Sequence, residues 1–279
     1  MRVARIPGLL PCRLSEGRGG TIVRHAGRYW IGLLVAALAL SVLPVPSAAA
    51  ADETPGRLFS TWVFWVKQGH EAAFETAVKA HVAWRKSAGE SFQWNAYQPV
   101  VGDDLTHYVF RSGPHHWQDL DENAAWEMKT GAQQKFREQV APHVERFEHV
   151  IDQLEPNHSS WTDSPDYKYF GVSTFHFKGG TRSQQETALT TILAAVQAQK
   201  WSRSYAVFRV IGGHEGMNIA APYKSYADMA EPDPSFFQTV AETLGSEGAA
   251  GAAFDAFGRT VKSATYTIYM ARPDLSTPK

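Results

Sequence analysis

The chain of 279 residues contains a single cysteine, Cys12, and it lies in a basic N-terminal stretch. Beyond that stretch no disulfide, thiolate metal site or cysteine nucleophile can exist, so stability must come from core burial. Long apolar runs are missing too. The one candidate, Ile31 to Leu43, is about thirteen residues, short of the roughly 20 needed to span a bilayer. There is no Walker loop, no His-Glu-x-x-His and no Gly-x-Ser-x-Gly, which takes away the usual supports of nucleotide and hydrolase chemistry. Gly212-Gly213-His-Glu-Gly216 is glycine-rich but precedes no helix, so it offers no helix N-terminus to a phosphate.

Residues 1–50 carry six arginines against one acid, Glu16, followed by the short apolar run and Pro-Ser-Ala-Ala-Ala-Ala. That order predicts a secretory signal peptide cut near Ala50 or Ala51, and an exported protein, periplasmic or extracellular. The remainder keeps 21 basic and 27 acidic side chains, a net charge of about −6. Without a clustered basic surface, a nucleic-acid partner is not expected, nor a membrane once the signal is cut.

What is present is a duplication. Phe64, Lys67, Gly69, Val78, Val82, Trp94 and Gly102 match Phe175, Lys178, Gly180, Leu189, Leu193, Tyr205 and Gly213 at a constant offset of 111 residues. The offset becomes 109 where Trp117-Gln-Asp-Leu120 matches Tyr226-Ala-Asp-Met229. It becomes 117 where Val144, Ile151 and Pro156 match Val261, Ile268 and Pro273. The extra residues of the second copy fall in the Gly/Ala-rich stretch 245–251.

Each copy reads strand, helix, strand, strand, helix, strand. β-Branched and aromatic runs mark strands near 60–66, 92–99, 106–111, 148–154 and 265–270. Phe74, Val78 and Val82 recur at helical spacing over 71–86, and a second helical region is expected over 117–147 with an interruption at Pro142. Thr181-Arg-Ser-Gln184 fits a capping box ahead of the second copy's first helix. The expected organisation is therefore repeat 1 at 57–156, a turn-rich linker at 157–166 and repeat 2 at 167–275. The fold class is α+β: two fused ferredoxin-like repeats whose antiparallel sheets pack face to face as a pseudo-dimeric barrel.

This element order, duplicated in one chain, resembles the dimeric α/β-barrel superfamily in its tandem form. That group includes antibiotic-biosynthesis-type monooxygenases, stress-responsive small barrels, chlorite dismutases and dye-decolourising peroxidases. The resemblance covers nearly all of residues 57–275 and rests on architecture, with no signature motif. It implies a space between the sheets that in such folds often holds a ligand or haem.

Strand alternation then assigns faces. The expected inner face collects Trp65, Trp94, Gln98, His107, Arg111, Asp152, His176, Tyr205, Arg209, Asn218 and Tyr269. Aromatic walls with a few polar groups suit a small-molecule site. The competing explanation is that these polar groups satisfy one another, for instance Arg111 or Arg209 with Asp152. His107 and His176 are the candidate catalytic histidines. No cofactor is required by the sequence, though either histidine could serve a haem as axial ligand. No metal site is expected: His115 and His116 diverge and lack a third ligand, and His81 reads as a core histidine bonded to a neighbour.

Three functions stay open. The first is a protein binding a small apolar or aromatic ligand between the sheets. The second is an oxidoreductase or monooxygenase, cofactor-free or haem-dependent, acting in that cavity. The third is a structural or interaction protein with a filled barrel. A chain that carries both halves needs no second copy to close its barrel, so a monomer is expected.

Overall fold

The computed structural model describes residues 56–213 and 215–278, so the expected signal segment lies outside the described residues. Leu-Phe-Ser-Thr-Trp-Val-Phe-Trp-Val, rich in residues that favour a pleated backbone, forms β1 (Leu58–Val66). Helix α1 (Glu71–Ser87) follows and buries Phe74, Val78, His81 and Val82 on one face. The hairpin β2 (Asn95–Val101) and β3 (His107–His115), then helices α2 (Trp117–Thr130) and α3 (Ala132–Gln139), lead to β4 (Val144–Leu154). The second copy repeats the order as β5 (Tyr169–Phe177), α4 (Arg182–Ala198), β6 (Ala206–Gly212), β7 (Met217–Tyr223), α5 (Phe236–Leu244), α6 (Glu247–Thr260) and β8 (Val261–Ala271).

The strands close into one barrel in the order β1-β3-β2-β8-β5-β7-β6-β4, every neighbour antiparallel. Within each repeat the order is ferredoxin-like, with the second and fourth strands at the edges. Those edges do not stay open: β2 pairs with β8 and β4 with β6. The inner faces thus oppose each other across a barrel that has no free edge. Helices cover the outside, and each repeat has its own apolar core between helices and sheet, one around Phe64, Phe74 and Phe110, the other around Leu193, Val207 and Met217.

Three local expectations need correction. The helical region 117–147 breaks at Gly131, whose left-handed φ of 69° ends α2, and Pro142 sits in a 3-10 turn (141–143). Val144 and Phe147 therefore belong to β4. The second strand begins at Asn95, not near 92, because Phe92 and Trp94 lie in the helix-side core before pairing starts. Thr181 does not cap α4 with its side chain; its hydroxyl donates to the Lys178 carbonyl instead. Ser235 forms the capping box of the second copy, accepting from Gln238 N at 3.1 Å.

Candidate functional site

The barrel is not filled by its own side chains. It encloses a cavity of about 630 Å³ walled by Phe59, Tyr97, Phe170 and Phe208 together with valines of β1, β3, β4 and β5. One end reaches Trp161 and Asp163 of the linker between the repeats. Trp161 stacks on Phe170 with ring centroids 6.5 Å apart, so the linker extends the aromatic wall.

Of the residues expected inside, Arg111, Asp152, Asn218 and Tyr269 line the cavity. Arg111 donates to Asp152 through both terminal nitrogens, at 2.6 and 2.7 Å, and to Thr61 Oγ1 at 2.6 Å. Its guanidinium packs against the rings of Phe59 and Phe208, 4.3 and 4.4 Å from their centroids, which themselves meet edge-on. Mutual satisfaction therefore describes this pair well: the cation is neutralised where it stands and is a poor anchor for an anionic ligand. Asn218 Oδ1 accepts from Thr174 Oγ1 at 2.9 Å.

Trp65, His107 and His176 continue the inward rows of β1, β3 and β5 one step past the lining. Trp65 Nε1 donates to Asp104 Oδ2 at 2.7 Å, and Arg146 lies 3.4 Å over its ring. His176 Nδ1 lies 3.3 Å from the Glu215 carbonyl oxygen. His107 is buried, with Nε2 3.2 Å from the Tyr269 hydroxyl and Nδ1 3.4 Å from Asp104 Oδ2, a charge contact and not a hydrogen bond, since Nδ1 has no hydrogen-bond partner among the described residues. Burial lowers the His107 pKa, an effect that the charge of Asp104 opposes. Burial pushes the Tyr269 hydroxyl up to about 12. Burial would also raise Asp104, but hydrogen bonds from Thr106 and Trp65 and the charge of His107 outweigh it and hold the carboxylate well below its usual range.

Trp94, Gln98, Tyr205 and Arg209 point the other way. Trp94 is buried against the helices and donates to Glu90 Oε1 at 3.0 Å. Gln98 accepts from Arg272 at 2.6 Å on the helix side, and Tyr205 is part of the second helix-side core. Arg209 pairs outside the barrel with Glu155 and Glu186. All four stand on or beside β2 and β6, the same position in the two repeats. Their inward residues are Asn95 and Tyr97, and Ala206 and Phe208. In these strands the helix side carries a polar residue, Gln98 or Arg209, held by ion pairs or hydrogen bonds, and the inward side an aromatic one, Tyr97 or Phe208, so the rule that the more apolar face meets the helices points the wrong way. Matching the repeats could not reveal the error, because equivalent strands are misassigned together. Tyr97 and Phe208, equivalent at the offset of 111, are missed for this reason; the wall residues Phe59, Phe170 and Trp161 also lie outside the expected set.

A haem iron takes histidine, cysteine, methionine or tyrosine. The described residues lining the cavity include no histidine, cysteine or methionine, and burial raises the pKa of both tyrosines, Tyr97 and Tyr269, away from the ionised form that binds iron. His107 Nε2 is engaged by Tyr269, and His176 lies beyond the lining. This donor set does not fit a haem in the cavity. No cluster of three or more metal-ligating side chains occurs among the described residues.

No protein-family model matches the sequence, and no curated protein matches it. Solved structures do. An anthrone oxidase-like protein superposes with a TM-score of 0.52 over 81% of this chain and 95% of its own, at 11% identity. A candidate monooxygenase from Fusobacterium nucleatum subsp. nucleatum gives 0.50 over 78% and 93%, at 7% identity. At such identities the likeness shows the fold, a dimeric α/β barrel with both halves in one chain.

Proposed function

We propose that the protein is an oxidoreductase acting on a small, flat, largely apolar organic molecule held inside the barrel. The observation that carries this reading is the cavity itself: aromatic walls, an internally neutralised charge pair and, among its hydroxyls, that of Tyr269 backed by a histidine. Such a lining desolvates an aromatic ligand and leaves few polar groups to orient it. The two superposable proteins named above are described by oxygen chemistry, which favours turnover over storage of the ligand. The donor set of the cavity favours a reaction without haem, and dioxygen is the proposed oxidant, in keeping with the oxygen chemistry by which those two proteins are described. Residues 1–50 are proposed to direct export, and the closed barrel is proposed to act as a monomer.

The test is oxygen uptake by the purified chain with anthrone, whose methylene becomes a carbonyl as one oxygen atom of dioxygen enters and the other leaves as water. Val109 lines the cavity from β3. Val109→Trp should fill the space and lower uptake by at least about tenfold, while the melting temperature changes little. Binding without uptake in the unaltered chain would return the protein to a ligand-binding role. Native and intact mass of the same exported sample should give one copy beginning near residue 51.

A further inference from the structure

The two halves of the barrel have diverged at equivalent inward positions. Where the first repeat has Arg111 and Asp152, the second has Ala220 and Tyr269; where the first has His107, the second has Gly216. The first half keeps a closed ion pair. The second half contributes a hydroxyl, and across the β2·β8 seam that hydroxyl meets the first half's histidine, Nε2 to oxygen 3.2 Å. The only carboxylate beside that histidine's other nitrogen belongs, among the described residues, to Asp104 at 3.4 Å. Neither repeat holds this chain of three groups alone.

We propose that Tyr269 exchanges a proton with a bound neutral hydroxyaromatic substrate, while His107 holds the displaced proton and Asp104 positions His107. The proposal rests on the reading that the cavity takes a flat aromatic molecule. In the step, the substrate O–H bond breaks and its proton bonds to the Tyr269 oxygen. The Tyr269 O–H bond breaks in turn, and that proton bonds to His107 Nε2. Each electron pair stays on its oxygen, so the substrate becomes an aryloxide and His107 an imidazolium facing the Asp104 carboxylate. No oxidant takes part in this step; it prepares an electron-rich anion for one. Tyr269 is the catalytic residue, and His107 and Asp104 act through it.

The electrostatics agree with the geometry. Burial keeps His107 neutral and able to accept, while Asp104 stays ionised and can steady the imidazolium. The other charges facing His107 come from β4, where Arg146 opposes protonation and Glu148 favours it. A neutral ligand is the class that fits, because Glu148, Asp152 and Asp163 all line the cavity and its one guanidinium is already bonded to Asp152.

The probe is 4-nitrophenol, whose phenolate band reports ionisation directly, added to the full chain, to Tyr269→Phe and to His107→Gln. The unaltered chain should bind it and display the phenolate band at pH values where the free probe is neutral, fading only at lower pH, where solvent has already protonated His107 before the probe can pass it a proton. Tyr269→Phe should bind within about threefold of the unaltered chain, lose the band and lower oxygen uptake about a hundredfold. His107→Gln should lose the band likewise, and it decides the matter should circular dichroism show that Tyr269→Phe is unfolded. A phenolate band retained within about twofold in a folded variant overturns the relay and leaves the cavity reading standing. Failure of the unaltered chain to bind 4-nitrophenol overturns both.

Discussion

His81 shows how much a single side chain departs from its neighbours' logic. It occupies the position of Ile192 in the other repeat, inside the helix-side core, and neither ring nitrogen has a hydrogen-bond partner among the described residues. It is a core residue, as its place on the α1 face implies, but not a bonded one. Burial first, then the charges of Arg85 and Lys135, hold its pKa down to about 4. The folded state therefore disfavours the protonated ring, and stability is complete above the ordinary value near 6.5 and declines as pH falls towards 4. The loss amounts to roughly 2 kcal/mol at pH 5. His81→Ile should remove this component, so urea denaturation at pH 5 and pH 8 should differ less in the variant. An unchanged pH dependence would assign the acid sensitivity elsewhere, with His107, His115 and His149, all lowered by burial, next in line.

At the scale of elements, the α2–α3 junction separates conformation from packing. Gly131 takes φ of 69°, and a side chain there would meet nothing within 4 Å. Any penalty of Gly131→Ala is thus conformational, about 1–2 kcal/mol for a left-handed residue with a Cβ. Because α2 buries none of its residues, that cost should appear as faster amide exchange across 117–139 and leave the barrel strands protected. Equal acceleration in β1 and β3 would mean that the junction is coupled to the barrel. Element types and order were legible because α1 repeats its apolar residues at helical spacing and β1 is a run of β-branched and aromatic residues. The break at Gly131 was not: a glycine inside an amphipathic run is compatible with a continuous helix, and Pro142 is the stronger local signal.

The whole molecule depends on two seams, β2·β8 and β4·β6, that join the repeats. A single repeat would expose two strand edges and an inner face bearing Phe59, Tyr97 and the Arg111–Asp152 pair. Residues 56–156 expressed alone should accordingly self-associate, either as a two-copy barrel or as aggregate, in sedimentation analysis. A well-folded monomeric half would show that the seams are dispensable. The intact chain meets both requirements within itself, which is the physical basis for expecting a monomer.

The sequence by itself determined the duplication, the order of strands and helices, and the inward rows of β1, β3, β4, β5, β7 and β8. In those strands the helix-side residues of the two copies, such as Phe64 and Phe175, match as apolar, and that match sets the parity. Only the tertiary structure decided which face of β2 and β6 turns inward, because their polar residues Gln98 and Arg209 are satisfied on the helix side and the strands sit at the seams, where pairing with the other repeat fixes their orientation. The same holds for the candidate site. His107 and Tyr269 are 162 residues apart and belong to different repeats, so nothing local brings them together. Closing the barrel does.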